Sequence, residues 1–267
     1  MVSRWACATV TLLLACCQPL AAQLSISISP AFVERIVKPG SRVTDTISLT
    51  NRSRVPVSVR VSTVDFDASE TNEVLEKPSG TDPASLARYL RVSPLQVEVA
   101  PDQQVFFRYT ITAPKDFTQL RAMLYFVSRP ALAPQTQGQR VVFVPRMGVP
   151  VYLENIDASA ARLRVESVQW KRAGEKGETL ELTLLVVNEG ERNIRPDGYL
   201  DVNAKDGSFA KVFPFNEGHE PVLALHTRKW TAQFGPVPGG ELSLKLRFAT
   251  SSRSSHESES VIPAFVP

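Results

Sequence analysis

The chain has 267 residues, 43% apolar and 21% charged, with a formal charge of +3 from 30 Lys and Arg against 27 Asp and Glu; that is enough apolar material for a folded core. Aliphatic and aromatic residues run through the whole length, which excludes disorder, and 13 Gly without a three-residue period exclude a collagen-like chain. Basic residues alternate with acidic and apolar ones instead of gathering, so the charge pattern argues against nucleic acid as a partner.

Residues 1–22 read as a cleavable signal peptide: Arg4, an apolar run from Ala6 to Ala15, then Gln18-Pro19-Leu20-Ala21-Ala22. The run is shorter than the roughly 20 apolar residues a spanning helix needs, and cleavage would leave Gln23 as the mature N-terminus. Leu13-Leu14-Ala15-Cys16 resembles a bacterial lipobox, so an acylated Cys16 is the competing expectation. Cys7, Cys16 and Cys17 are the chain's 3 cysteines and all fall in this leader, so the mature protein is expected to fold without disulfides, a Cys nucleophile or a thiolate metal site.

Twenty Pro against 13 Gly, with abundant Val, favour short strands closed by Pro-bearing turns, and the predicted class is all-β. Leu24, Ile26 and Ile28 alternate with serines, Lys38-Pro39-Gly40 makes a turn, and Val43–Thr50 and Val55–Val61 follow as strands. The polar stretch Asp65–Asp82 reads as a long connection, and Asp82-Pro83-Ala84-Ser85 as one capped helical turn. Alternation resumes over Leu90–Pro101, with Pro94 marking a bend or an edge, and strands are expected at Gln104–Ile111, Arg121–Ser128 and Arg140–Leu153. Pro130–Gln139, rich in Pro, Gln and Ala, reads as a mobile loop. A second series follows at Arg162–Trp170, Thr179–Val187, Tyr199–Asn203, Ala210–Phe215, Lys229–Phe234 and Glu241–Phe248, with a short terminal strand over Val261–Phe265. The expectation is two immunoglobulin-like β-sandwich domains in tandem, at residues 23–155 and 156–267, after the signal peptide at 1–22.

Little in the sequence resembles catalytic chemistry. His219-Glu220 opens like a zincin helix, but Leu223 stands where the second His ligand belongs and Pro221 breaks the helix. Asp65-Phe66-Asp67-Ala68-Ser69 has the oxygen spacing of a calcium loop, yet Glu70 replaces the turn Gly, leaving a solvated connection as the expectation. No Gly-x-Ser-x-Gly elbow or phosphate-cradling loop occurs. Asn51-Arg52-Ser53 is a formal glycosylation sequon that reads better as turn chemistry, and Trp170 and Trp230 read as core residues. No enzymatic activity, cofactor or metal is expected.

A family resemblance rests on Ser29-Pro30, Lys38-Pro39-Gly40, a strand ending in Asn51, Val92-Ser93-Pro94 leading to Val99-Ala100-Pro101, Phe107-Arg108-Tyr109, Arg121–Pro130 and Val149-Pro150-Val151-Tyr152-Leu153. Together these resemble the first domain of PapD-like periplasmic pilus chaperones. Val187–Gly198 is similar to the second domain of divergent members. The resemblance implies a periplasmic chaperone that caps pilus or fimbrial subunits by lending an edge strand during fibre assembly, with an outer-membrane usher as a further partner. Arg140-Val141-Val142-Phe143-Val144-Pro145 is apolar on both faces, as a donor edge strand would be if one face lies on its own core and the other enters a partner's groove. A central strand buried on both sides would read the same way.

The resemblance also implies a basic pair that holds the subunit's terminal carboxylate. Counting back from Gly40 places the Arg at Arg35, whereas counting forward from Ser29-Pro30 places Phe32 there; at the Lys position stands Pro150, and Arg146, on the same strand face, is the substitute. The alternative reading is an exported adhesion or scaffold module, lipid-anchored at Cys16, that uses the same sandwiches for static contacts.

Overall fold

The computed structural model describes residues 25–130, 144–217 and 220–250, and the strand backbone of 260–264. The expected leader, with Cys7, Cys16 and Cys17, lies outside the described residues, as do His219 and His256. Among the described residues there is no helix. The first half folds as β1 (Ile26–Ser29), β2 (Val33–Val37), β3 (Arg42–Asn51), β4 (Val57–Ala68), β5 (Val74–Lys77), β6 (Leu90–Ser93), β7 (Gln96–Val99), β8 (Gln104–Thr112), β9 (Gln119–Pro130) and β10 (Arg146–Asn155). The second half supplies β11 (Leu163–Ala173), β12 (Thr179–Asn188), β13 (Pro196–Ala204), β14 (Ala210–Phe215), β15 (Thr227–Phe234), β16 (Leu242–Thr250) and β17 (Ser260–Ala264).

The first sandwich packs the sheet β1-β3-β8-β6 on the sheet β2-β10-β9-β4-β5, where β7 also pairs with β4; the second packs β11-β12-β15 on β14-β13-β16-β17. Alternation drives both. Ile47 and Leu49 on β3, Phe107, Tyr109 and Ile111 on β8, and Val57, Val59 and Val61 on β4 all bury into one core, and Leu180, Leu182, Leu184 and Val186 do the same on β12.

The stretch read as a polar connection is instead a hairpin: β4 continues to Ala68 and returns as β5. Asp65 is 0% exposed, not solvated. Its carboxylate accepts hydrogen bonds from the Thr81 and Asp82 N–H groups at 2.8 and 3.0 Å and from the Ser85 hydroxyl at 2.6 Å. Composition reports polarity and not whether internal donors or water satisfy it. Asp82 does cap a turn, accepting from the Ala84 N–H at 2.8 Å, but no helix follows. The described part of the strand expected from Arg140 begins at Arg146 and reaches Asn155.

One device occurs in both sandwiches. Asn51 and Asn188, each ending a strand, are 0% exposed. Each Oδ1 accepts the N–H two residues on, from Ser53 and Gly190. Each Nδ2 donates to the carbonyl four residues on, of Val55 and Arg192, and to one farther along, of Val99 and Val222. A single amide therefore closes the turn and ties it to a distant segment, and the Asn51 sequon is fully occupied as turn chemistry.

The two sandwiches meet on the outer face of the six-stranded sheet. Leu223 buries itself with Phe66, Met123, Tyr125 and Tyr152. Around it, Arg195 Nε donates to Glu34 at 2.7 Å while its guanidinium lies 3.9 Å over the Phe32 ring. His226 Nε2 lies 2.7 Å from Asp67 Oδ1, which also accepts from Arg121 at 2.7 Å, and the Asn193 N–H donates to Glu154 at 2.7 Å. Burial pushes the Glu154 carboxyl up to about 6, against the Asn193 bond that favours its charged form.

Asn51→Ala or Asn188→Ala removes the buried amide that closes the turn and ties it to a distant segment, and each is expected to cost about 2–4 kcal/mol in urea denaturation. The folded-state pKa of Glu154 lies above its unfolded value, so its stabilisation is present at low pH and lost as pH rises through about 6. Relative to Glu154→Gln, the wild type is expected to lose on the order of 2 kcal/mol of unfolding free energy, mostly between about pH 4 and 6.5. Parallel denaturation curves across that window check this. The lowered carboxyls of Asp45, Asp67, Glu76 and Asp82 act with the opposite sign, at more acidic pH.

Candidate functional site

The chain's first strand is split between two sheets. β1 pairs antiparallel with β3, Ile26 opposite Asn51 through Ser29 opposite Ser48. The chain then crosses at Pro30–Phe32, and β2 joins the other sheet, running parallel to β10 from Val33 opposite Val151 to Val37 opposite Asn155. β2 thus covers only the second half of β10. From Arg146 to Pro150, β10 is paired with β9 on one side, and among the described residues no strand pairs with its other side.

Which backbone groups face that open side follows from the ladder. The Ser128 N–H donates to the Pro145 carbonyl at 3.1 Å and the Asn155 N–H to the Thr118 carbonyl at 2.9 Å, so the odd-numbered residues bond toward β9. The Ile156 N–H donates to Val37 at 3.0 Å, so the even-numbered residues bond toward β2. In the uncovered half, the backbone groups of Arg146 and Gly148 therefore face outward from the sheet edge. Pro150, which has no N–H to offer, sits where its missing donor removes no bond to β9.

The side chains of this half also divide by parity. Val149 is buried in the core and Met147 is half-buried, whereas Arg146, Gly148 and Pro150 lie on the outer face. Arg146 donates from Nη1 and Nη2 to the two carboxylate oxygens of Glu76 at 2.7 and 2.9 Å, and its guanidinium lies 3.4 Å over the Tyr125 ring. The Tyr125 hydroxyl donates to Glu76 Oε1 at 2.6 Å. Hydrogen bonds from Arg146 and then Tyr125 hold Glu76 below the usual carboxylate range. Burial, with Glu76 as acceptor, pushes Tyr125 up to about 12, so its hydroxyl stays a donor. A Cβ at Gly148 would stand 2.8 Å from Met123 Sδ and 3.0 Å from Tyr125 Cε1, so glycine is what lets those side chains lie across the strand.

Of the residues singled out in the sequence, Val141, Val142 and Phe143 lie outside the described residues, and Val144 is half-buried just before β10. Arg35 lies on β2 opposite Leu153 and donates to Asp45 of β3 at 2.5 Å. It shares the register of the buried Val33 and Val37, whereas Arg146 is on the outer face of the neighbouring strand, so the structure does not bring the two arginines together. Each holds a carboxylate of this chain. Glu76 was missed because its hairpin read as a connection. A signal for a covered outer face was present in Leu120–Phe126, where every residue is buried although a one-sided strand would alternate. Among the described residues no group of three or more His, Cys, Asp or Glu is arranged to hold a metal ion.

No family model and no curated protein matches the chain. Solved structures similar to it include the class 5 fimbriae chaperone CfaA, at 13% identity and a TM-score of 0.47 over 91% of this chain and 100% of that one. Another is the SafB chaperone of Salmonella enterica in complex with the SafA pilin, at 15% identity and a TM-score of 0.47 over 90% and 97% of the two chains. A PapD-like domain of human CEP192 matches 50% of this chain and 86% of its own, at 14% identity and a TM-score of 0.35. The solved structures similar to the chain thus include fimbrial chaperones, the group that its first-domain motifs resemble.

Proposed function

We propose that this protein is an exported periplasmic chaperone that binds and caps pilus or fimbrial subunits through β10, whose uncovered half pairs with an incomplete subunit's sheet. The observation that carries the reading is the pair of edge-facing backbone positions at Arg146 and Gly148, on a strand whose second half is built in between β9 and β2. Such an edge pairs with any suitable strand unless it is blocked. Hydrogen bonds contribute only about 0.5–1.5 kcal/mol net each, whereas a fully buried Val or Phe contributes about 1.5–3 kcal/mol. The grip therefore depends on side chains, and the apolar run Val141-Val142-Phe143-Val144 immediately before β10 supplies them in this reading. Arg146 stands on this edge and Arg35 on β2 beside the covered half, opposite Leu153, and their use as carboxylate anchors requires them to exchange Glu76 and Asp45 for the subunit's terminus. The leader at 1–22 gives the address, and no helix among the described residues is long and apolar enough to cross a membrane.

Co-expression with candidate fimbrial subunits tests the proposal. Subunits are expected to accumulate and co-purify only when the protein is present, and Val142→Asp or Phe143→Asp is expected to abolish co-purification with the circular dichroism spectrum unchanged. Equal subunit accumulation without the protein, with none co-purifying, contradicts the chaperone role and favours a static adhesion or scaffold module. Unfolding of both variants contradicts the edge assignment.

A further inference from the structure

The uncovered half of β10 has a mechanical problem. A strand laddered on one side only frays more readily than one held on both, and an edge that frays must be re-ordered each time it is used. Gly148, with no side chain of its own to pack, adds to that tendency. Yet the outer face of this half is tied across the sheet. In the order β2-β10-β9-β4-β5, Arg146 of β10 passes over Tyr125 of β9 and ends on Glu76 of β5, skipping β4 altogether. The fork-to-carboxylate geometry is bidentate, which fixes direction as well as distance. The Tyr125 hydroxyl bonds the same carboxylate, and its ring fills the space left open by Gly148.

We infer that Glu76 and Tyr125 are positioning residues for the strand edge: through Arg146 they hold residues 146–150 extended before any partner arrives. The role assigned to this edge rests on the chaperone reading; the clamp itself does not. It also gives the β4–β5 hairpin a purpose, because β5 covers none of the first core and carries Val74 and Leu75 exposed at 46% and 48%.

Amide hydrogen exchange on the full mature chain, free of any partner, tests this. In Glu76→Gln and in Tyr125→Phe, the Met147 and Val149 amides, bonded to β9, are expected to exchange about five- to tenfold faster than in the wild type, the factor that loss of one surface contact gives. The Leu153 amide, in the half flanked by β2, and the Leu182 and Leu184 amides of the second sandwich are expected to stay unchanged, with the melting temperature within about 2 °C. Arg146→Lys, which keeps the charge but loses the fork, is expected to fall between. Unchanged exchange at Met147 and Val149 in both variants overturns the inference. So does equal acceleration throughout the first sandwich, which means an ordinary stability contribution. A second arm measures affinity for a co-purifying fimbrial subunit. If the wild type binds none, the chaperone reading fails while the exchange result stands; if the wild type binds and Glu76→Gln binds equally, the positioning role fails alone.

Discussion

The division of one strand between two sheets governs this structure. By pairing first with β3 and then, after Pro30–Phe32, with β10, the N-terminal segment closes part of each sheet margin and, among the described residues, leaves part of each open. A sandwich could avoid this by running a single strand down either sheet. Here the switch leaves β10 with a completed ladder on the β9 side and outward-facing amide and carbonyl groups over Arg146–Pro150. Exposed edges of this kind are hazards that soluble proteins normally cover or charge. One left in place on an otherwise well-buried sheet is therefore informative about use, and a Pro at position 150 limits how far pairing can run toward the β2 junction.

The rest of the molecule stiffens the platform behind that edge. At one end of the outer face, Leu223 of the second sandwich closes over Phe66 and Tyr152, with the Arg195–Glu34 and His226–Asp67 contacts around it. At the other, Arg146, Tyr125 and Glu76 form a network of side chains 44% and 40% exposed at its charged ends. Exposed ion pairs contribute little stability, at most about 1 kcal/mol, so the value of this network lies in fixing a geometry. The junction differs in kind: it is apolar at its centre and carries in Glu154 a carboxyl whose burial makes its charge costly.

Much of this was legible in the sequence, for identifiable reasons. Where one face is buried and one wet, alternation gives both strand and face, as at Leu180, Leu182, Leu184 and Val186; the second series of strands was readable because nearly all of it is one-sided. The β4–β5 hairpin was not readable, because Asp65 and Asp67 are satisfied by protein donors and polarity alone suggests solvent. The edge on β10 was only half legible. The apolar run Val141-Val142-Phe143-Val144 could not tell a buried central strand from an exposed donor, and its first three residues lie outside the described ones; which half of β10 stays open is set by where β2 begins after the crossing at Pro30–Phe32. The clamp was out of reach: Glu76, Tyr125 and Arg146 are far apart in the chain, and only the order in which β10, β9, β4 and β5 join one sheet brings them together.

The central claim concerns backbone groups, and the most direct measurement reads them one at a time. Isotope-filtered nuclear Overhauser spectra of the protein bound to an unlabelled fimbrial subunit are expected to show cross-strand contacts from the Arg146 and Gly148 amides to the subunit, and none from the Met147 and Val149 amides, which remain on β9. A subunit that binds without any contact to the Arg146 and Gly148 amides would contradict the account.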